Sequence, residues 1–108
     1  MSDPIVFKCE DSLWRMLADG SRTFDMREWN LQDSRLRRLS LGRCPGYEDA
    51  PVFQPALRPD GWKPEEKTVS FLNKATGQVL TLEYRHMEFT LWAPGWCFLL
   101  LGKVVSNA

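Results

Sequence analysis

The sequence predicts a small α+β domain that consists mainly of β-strands and carries one or two short helices. The chain has 108 residues, of which 44% are hydrophobic and 26% charged, and these values are ordinary for one globular domain spanning residues 1–108. Helical spacing of apolar residues occurs only before residue 42, whereas residues 67–105 carry the alternating and continuous apolar runs typical of strands. A proline-rich segment separates these two regions.

The first two predicted elements are a strand and a helix. Residues 5–9 form an apolar run after Pro4, and proline is tolerated at the start of a strand, so a strand is expected there. Within residues 10–20, Asp11 or Ser12 can cap a helix whose apolar stripe is Leu13, Trp14, Met16 and Leu17, and Gly20 is a typical residue after a helix C-terminus. We therefore expect a short helix that ends before Gly20.

Residues 22–29 alternate between polar and apolar side chains, which indicates a half-buried strand. Phe24 and Met26 are expected to face the core. The opposite, polar face is expected to carry Thr23, Asp25 and Arg27. Residues 31–41 fit both a helical turn and the start of a strand, and the pattern does not decide between them.

Residues 42–66 are predicted to form a long Pro-rich loop inserted into the domain. Five of the seven prolines lie between positions 45 and 64, and proline removes backbone donors that helices and strands need. A loop of this length inside a compact domain is commonly functional or mobile.

The last third of the chain has the pattern of a β-meander. Residues 67–72 and 78–84 read as a hairpin with a Gly-containing turn. Residues 86–92 are a further strand or a bent continuation of the second one. A turn at 93–95 then leads into residues 96–105, whose continuous apolar character predicts an interior strand.

Composition and charge exclude several classes of protein. Basic and acidic residues both number 14, so the formal net charge of zero excludes a highly basic histone-like protein. No apolar run, Cys97–Leu101 included, approaches the roughly 20 residues that cross a bilayer. The first residues lack the basic and apolar regions of a secretory signal, so we expect a cytoplasmic protein without a membrane partner.

The sequence predicts no metal site and implies no cofactor. It contains no Cys-x-x-Cys pair, and its cysteines are expected to be reduced thiols, two of them buried. These cysteines are Cys9, Cys44 and Cys97. His86, the single histidine, is expected to be a surface or hydrogen-bonded strand residue, although Glu83 or Glu88 could pair with it for acid–base work.

The segment from Gly20 to Arg27, Gly-Ser-Arg-Thr-Phe-Asp-Met-Arg, resembles the motif of the ASCH domain family, a branch of the PUA-like β-barrels. That motif is Gly-x-Lys-x-x-Glu-x-Arg, often with Thr after the Lys. Three positions match it directly: Gly20, Thr23 and Arg27. Arg22 replaces the Lys and Asp25 replaces the Glu, and both replacements keep the charge.

The context of the motif is also similar to the family. Apolar residues of the preceding helix stand where the family's helix would have them: Leu13, Trp14 and Leu17. The run Trp96–Gly102 resembles the family's last barrel strand. The resemblance covers residues 5–29 well and 67–105 moderately, and it is absent over 42–66.

The resemblance implies a PUA-like mixed β-barrel that binds nucleic acid, with RNA favoured, in a cleft walled by Arg22, Asp25 and Arg27. Some small family members hydrolyse acylated cytidine nucleosides with a Lys and a Thr, which are replaced here by Arg22 and Asp25. Because arginine keeps its proton, it is a poor base or nucleophile. The sequence therefore favours a non-catalytic module, with Asp25 as the weak candidate for a general base.

Arginine suits a nucleic-acid site because its planar fork of donors binds phosphate and stacks on bases. Trp14 and Trp29 are candidate stacking platforms beside the motif. Six arginines against three acidic residues give the segment 22–43 a net charge of about +3. The full set of candidate binding residues is Arg22, Thr23, Asp25, Arg27, Trp14, Trp29, Arg35, Arg37 and Arg38. The alternative interpretations are a rim ion pair at Asp25 and a solvated helix face at 35–38.

Three functional hypotheses follow from the sequence. The first is a module that binds RNA or a nucleotide-like ligand. The second is a small hydrolase acting on a modified nucleoside or on RNA. The third is a protein-interaction or phage-type accessory protein that uses a Pro- and Trp-rich surface, of which the Trp92–Trp96 turn is one part.

Overall fold

The computed structural model describes residues 3–30, 32–46, 61–89 and 92–108 and the backbone of 52–53. Two helices and eight strands lie in these ranges. In chain order they are β1 (Val6–Cys9), α1 (Asp11–Asp19), β2 (Phe24–Glu28), α2 (Ser34–Leu39), β3 (Leu41–Arg43), β4 (Val52–Phe53), β5 (Lys63–Pro64), β6 (Thr68–Asn73), β7 (Val79–Phe89) and β8 (Trp96–Asn107). Neither helix has the length and apolar character that crossing a bilayer requires.

The main sheet has five strands in the order β1-β6-β7-β8-β2 and curls into a half-barrel. β1 is parallel to β6, and the other neighbours are antiparallel. The register between the two longest strands, β7 and β8, shifts repeatedly between Thr81 and His86. Such bulges increase the local twist of a strand, and the sheet curls accordingly.

The α+β class and most local elements are confirmed. The first helix ends at Gly20, which adopts a left-handed φ of 82° as its C-cap. The predicted hairpin is formed by β6 and β7, and β8 lies between two neighbours. The second strand of the hairpin continues to Phe89, so residues 86–89 are the bent continuation rather than a separate strand.

The undecided segment 31–41 contains both structures that its pattern allowed. Asp33 caps α2 by accepting a hydrogen bond from the backbone N–H of Arg35 at 2.9 Å. The helix is only six residues long, and its backbone passes through Ser40 directly into β3. A short helix and a strand therefore share this segment.

The segment predicted as a loop, 42–66, is more ordered than expected where the structure describes it. β3 pairs with both β4 and β5 in a small antiparallel sheet. Gly42 lies so close to the Trp62 indole that a Cβ at this position would overlap it. Residues 47–51 and 54–60 lie outside the described residues, and the loop prediction for them stays a prediction.

The hydrophobic core is formed by the two helices and one face of the main sheet. Its fully buried side chains include Phe7, Leu17, Leu39, Phe71 and Leu99. Trp14 belongs to this core: it is 7% exposed, and its indole Nε1–H donates to the carbonyl oxygen of Phe71 at 3.2 Å. The prediction that Trp14 offers a stacking platform is therefore wrong, because its ring already packs against the sheet.

The predicted faces of β2 are inverted. Asp25 is 2% exposed and faces inward, whereas Phe24 is 37% exposed. The register explains this result, since Asp25 is opposite the buried Leu99 and directly opposed residues share a face. The apolar residues of this strand lie on the outer side of the sheet.

Candidate functional site

A polar cleft of about 360 Å³ opens between β1, the end of β2 and the start of α2. It is lined by Phe7, Arg27, Glu28, Trp29, Asn30, Asp33, Arg35 and Leu36. Three of the residues predicted to bind nucleic acid, Arg27, Trp29 and Arg35, thus come together although they belong to different elements. This cleft is the candidate site.

Arg27 is fixed in the cleft by a buried carboxylate. Its Nε donates to Oδ2 of Asp25 at 2.6 Å, and its Nη2 donates to the carbonyl oxygen of Lys8 at 3.3 Å. The Asp25 side chain is almost fully buried, whereas 26% of the Arg27 side chain is exposed. Asp25 therefore orients the guanidinium from below and leaves other N–H groups of Arg27 available to a ligand.

Arg35 is held by a bidentate pair with Asp33. Nε and Nη2 donate to the two carboxylate oxygens at 3.0 and 2.8 Å, and Nη1 donates to the carbonyl oxygen of Val6 at 2.8 Å. The hydrogen bonds from the Arg35 side chain are the main cause that lowers the pKa of Asp33. The carboxylate is thus ionised at neutral pH, and it fixes the second guanidinium of the cleft.

Both guanidiniums lie over the same aromatic ring. The Cζ atoms of Arg27 and Arg35 are 4.5 and 4.3 Å from the centroid of Phe7. This buried ring holds the two cations by cation–π attraction and apolar contact. Trp29 forms another wall, where its ring meets Phe89 edge-on at a centroid distance of 5.3 Å.

The charges of the cleft nearly cancel. Two guanidiniums stand beside three carboxylates, those of Asp25, Glu28 and Asp33. A ligand therefore meets donors and acceptors side by side rather than an excess of positive charge. Such a mixed surface suits a neutral polar group with its own donors and acceptors better than a bare phosphate.

The groups below the cleft do not form a nucleophilic centre. Burial, with a smaller contribution from the charge of Asp25, raises the pKa of Cys97 to about 11 and also raises that of Cys9. Both thiols are therefore protonated at neutral pH and are weak nucleophiles. Asp25, the weak candidate for a general base, is buried and already accepts a hydrogen bond from Arg27. In the described part of the chain, no group of three or more His, Cys, Asp and Glu residues could hold a metal ion.

The remaining predicted site residues lie outside the cleft. Arg22 donates to the carbonyl oxygen of Phe24 at 2.9 Å and stacks over the Phe24 ring, and Thr23 is exposed just before β2. Arg38 pairs with Glu66 at 2.7 Å, and Arg37 is exposed on α2. The predicted basic strip is therefore divided: Arg35 lines the cleft, whereas Arg38 donates to the carbonyl oxygen of Asp3 before β1 and lies outside the cleft.

Several cleft residues were not predicted from the sequence. Phe7, Glu28, Asn30 and Asp33 carry no motif of their own. Asp33 had a local signal, since an Asp directly before a short helical segment is a typical N-cap. Phe7 could not be found locally, because β1 meets the end of β2 only in the folded chain. Glu28 and Asn30 had no signal beyond their positions next to Arg27 and Trp29.

All three cysteines are free and buried, which is one more buried thiol than the two expected. His86 is hydrogen-bonded within its strand: its Nε2 is 2.8 Å from Oε1 of Glu88, two residues along β7.

Comparisons with protein-family models, curated proteins and solved structures found no match to this chain.

Proposed function

We propose that this protein binds single-stranded nucleic acid, with RNA favoured, and seats one nucleotide in the cleft between β1, β2 and α2. One observation carries the proposal: two carboxylate-fixed guanidiniums lie over the Phe7 ring beside Trp29. Stacking surfaces and fixed donors in one small cleft are the features by which proteins hold an unstacked base.

The size and polarity of the cleft support a nucleotide-sized ligand. Its volume of about 360 Å³ lies near the lower end of the range for small-molecule sites. The outer N–H groups of Arg27 and Arg35 can donate to a base or a phosphate, and Asp33 and Glu28 can accept from an amino group or a hydroxyl. The ribose 2′-hydroxyl, which distinguishes RNA from DNA, can donate a hydrogen bond to such a carboxylate.

The resemblance of residues 20–27 to the ASCH motif adds to this proposal, since Arg27 lines the cleft and Asp25 orients it. The half-barrel sheet with two helices agrees at the level of fold class with the PUA-like barrel that the resemblance implies. We propose in addition that the domain is PUA-like and that the protein is cytoplasmic. Hydrolysis is less favoured, because Asp25 is covered and held by Arg27.

The test is a fluorescence titration of the wild type and two arginine variants with a single-stranded RNA of eight nucleotides. Arg35→Gln removes one guanidinium from the cleft, and Asp33 remains partly exposed to water. Arg15→Gln is the matched control, since Arg15 forms a comparable pair with Asp11 on α1. Five tryptophans provide the signal.

We expect Arg35→Gln to weaken RNA binding about tenfold or more, which corresponds to the loss of a hydrogen-bonded charged group, and Arg15→Gln to leave it unchanged. Because few phosphates are contacted, the RNA affinity should depend only weakly on salt. The logarithm of the association constant should fall with the logarithm of the salt concentration, with a slope of about −0.7 per contacted phosphate. If the wild type, Arg35→Gln and Arg15→Gln bind the RNA with equal affinity, the cleft is not the binding site.

A further inference from the structure

A row of exposed aromatic rings covers the outer side of β2 and β8. Trp92 is 77% exposed, and Phe24 and Trp96 are also exposed. An apolar groove of about 350 Å³ lies here, lined by Phe24, Glu88, Trp92, Phe98 and Leu100. A group of exposed aromatic rings around an apolar groove is a candidate interaction surface. We call Phe24, Phe98 and Trp92 the outer aromatic row.

The rings form a continuous line because the strand register puts them together. Phe24 is opposite Leu100, and Phe98 is opposite Met26, so the two phenylalanines occupy diagonal positions on one face. Ring centroids are 6.0 Å apart for Phe24 and Phe98, and 5.8 Å apart for Phe98 and Trp92. The rings are tilted against one another by 53° and 49°, so each can present its own face or edge to a ligand.

At one end of the row stands Arg22, whose guanidinium has no carboxylate partner among the residues that the structure describes. The Cζ atom of Arg22 is 4.6 Å from the Phe24 centroid, and its Nε donates to a backbone carbonyl. Arg22 forms no ion pair with any residue that the structure describes, in contrast to Arg27 and Arg35. At the other side of the groove, the carboxylate of Glu88 is engaged by His86 at 2.8 Å. The row therefore ends in a cation that is available to a phosphate.

We propose that the outer aromatic row stacks bases of the same single strand of nucleic acid that places a nucleotide in the cleft. This inference rests on the proposed function for the class of ligand. Aromatic rings followed by an unpaired arginine are the elements of a single-strand stacking surface.

The topology favours a single strand over a duplex. β2 is an edge strand of the main sheet, with Asp25 on its inner side and Phe24 on its outer side. A nucleic-acid strand that leaves the cleft therefore has only β2 to cross before it reaches the outer aromatic row. A flexible single strand can turn around that edge, whereas a duplex is stiff over such a distance.

The experiment titrates the whole protein with an eight-nucleotide oligoadenylate and with an abasic ribose-phosphate oligomer of equal length. We expect Trp92→Ala to weaken oligoadenylate binding about 5- to 150-fold, the range for the loss of one stacked base. Trp92→Phe should retain most of the affinity, because it keeps an aromatic ring. Met16→Ala, which removes another exposed apolar side chain on α1, is the matched control and should change nothing. The abasic oligomer should bind weakly to every variant.

The outcomes separate the two proposals. If Arg35→Gln weakens binding and Trp92→Ala does not, the cleft is supported as a binding site and the outer aromatic row is excluded as one. If Trp92→Ala alone weakens binding, the row is supported and the cleft is excluded. If the wild type binds no oligoadenylate, both fail as nucleic-acid sites. Self-association that Trp92→Ala abolishes in sedimentation, with no effect of that variant on RNA binding, would identify the row as a protein contact and overturn the inference.

Discussion

Arg27→Ala is expected to destabilise the fold strongly, because it leaves the buried carboxylate of Asp25 without its cation. The Nε–Oδ2 distance is 2.6 Å, and Asp25 is 2% exposed. Removing one partner of a buried ion pair costs about 3–5 kcal/mol. Since about a quarter of the Arg27 side chain is exposed, water can partly replace it, and we expect the low end of that range, about 3 kcal/mol. For a domain of this size, such a loss lowers Tm by roughly 12–24 °C.

Urea denaturation at neutral pH measures this cost, with Asp25→Asn and the double variant Asp25→Asn/Arg27→Ala as companions. Asp25→Asn keeps an acceptor for the Arg27 Nε–H and should cost only about 1 kcal/mol. In the double variant no buried charge remains, so its loss should be smaller than the sum of the two single losses. A loss below about 1 kcal/mol for Arg27→Ala, with additive single effects, would refute the view that the pair anchors the cleft. This is also why Arg35 rather than Arg27 is the better position for a binding test.

Three further predictions concern stability and reactivity. The pKa of Asp33 is lowered in the folded protein, so its contribution to stability is complete above its ordinary pKa of 3.8 and is lost as the pH falls through the folded value. Asp33→Asn should therefore make Tm fall less steeply with decreasing pH in the acidic range, and an unchanged acidic slope would contradict this. Cys97 should resist iodoacetamide at pH 8.5 in the native protein and react after denaturation, because its pKa is raised to about 11 and its side chain is buried; mass spectrometry of native samples that shows its rapid labelling would contradict this. Gly42→Ala should destabilise by about 1–3 kcal/mol, as the new Cβ overlaps the Trp62 ring; an unaltered urea midpoint would show that β3 and β5 can move apart.

Local sequence patterns were sufficient for the elements that have one strong signal each. The helix before Gly20 has an apolar stripe and a stop residue, and the apolar run from Trp96 predicts an interior strand. β2 was oriented wrongly because alternation identifies two faces but does not say which one meets the core. In this strand the core side carries a carboxylate, while the outer side carries Phe24 and Met26.

The candidate site could be predicted only in part. Arg27 and Arg35 were identified from the motif and from local charge, but their meeting over Phe7 depends on the position of β1 beside β6 and on the packing of α2. Trp14 has the residue type of a stacking platform, yet its helix turns it into the core. Side-chain chemistry was thus visible in the sequence, whereas the direction of each side chain was set by tertiary packing.

The most direct test of the nucleotide-binding cleft is an NMR titration that follows the arginine Nε–Hε signals while a short single-stranded RNA is added. We predict that the signals of Arg27 and Arg35 shift in a saturable manner, because both guanidiniums line the cleft. The signal of Arg15, whose pair with Asp11 lies on α1, should stay in place. Saturable binding that leaves the Arg27 and Arg35 signals unmoved, or no binding at all, would contradict the central claim.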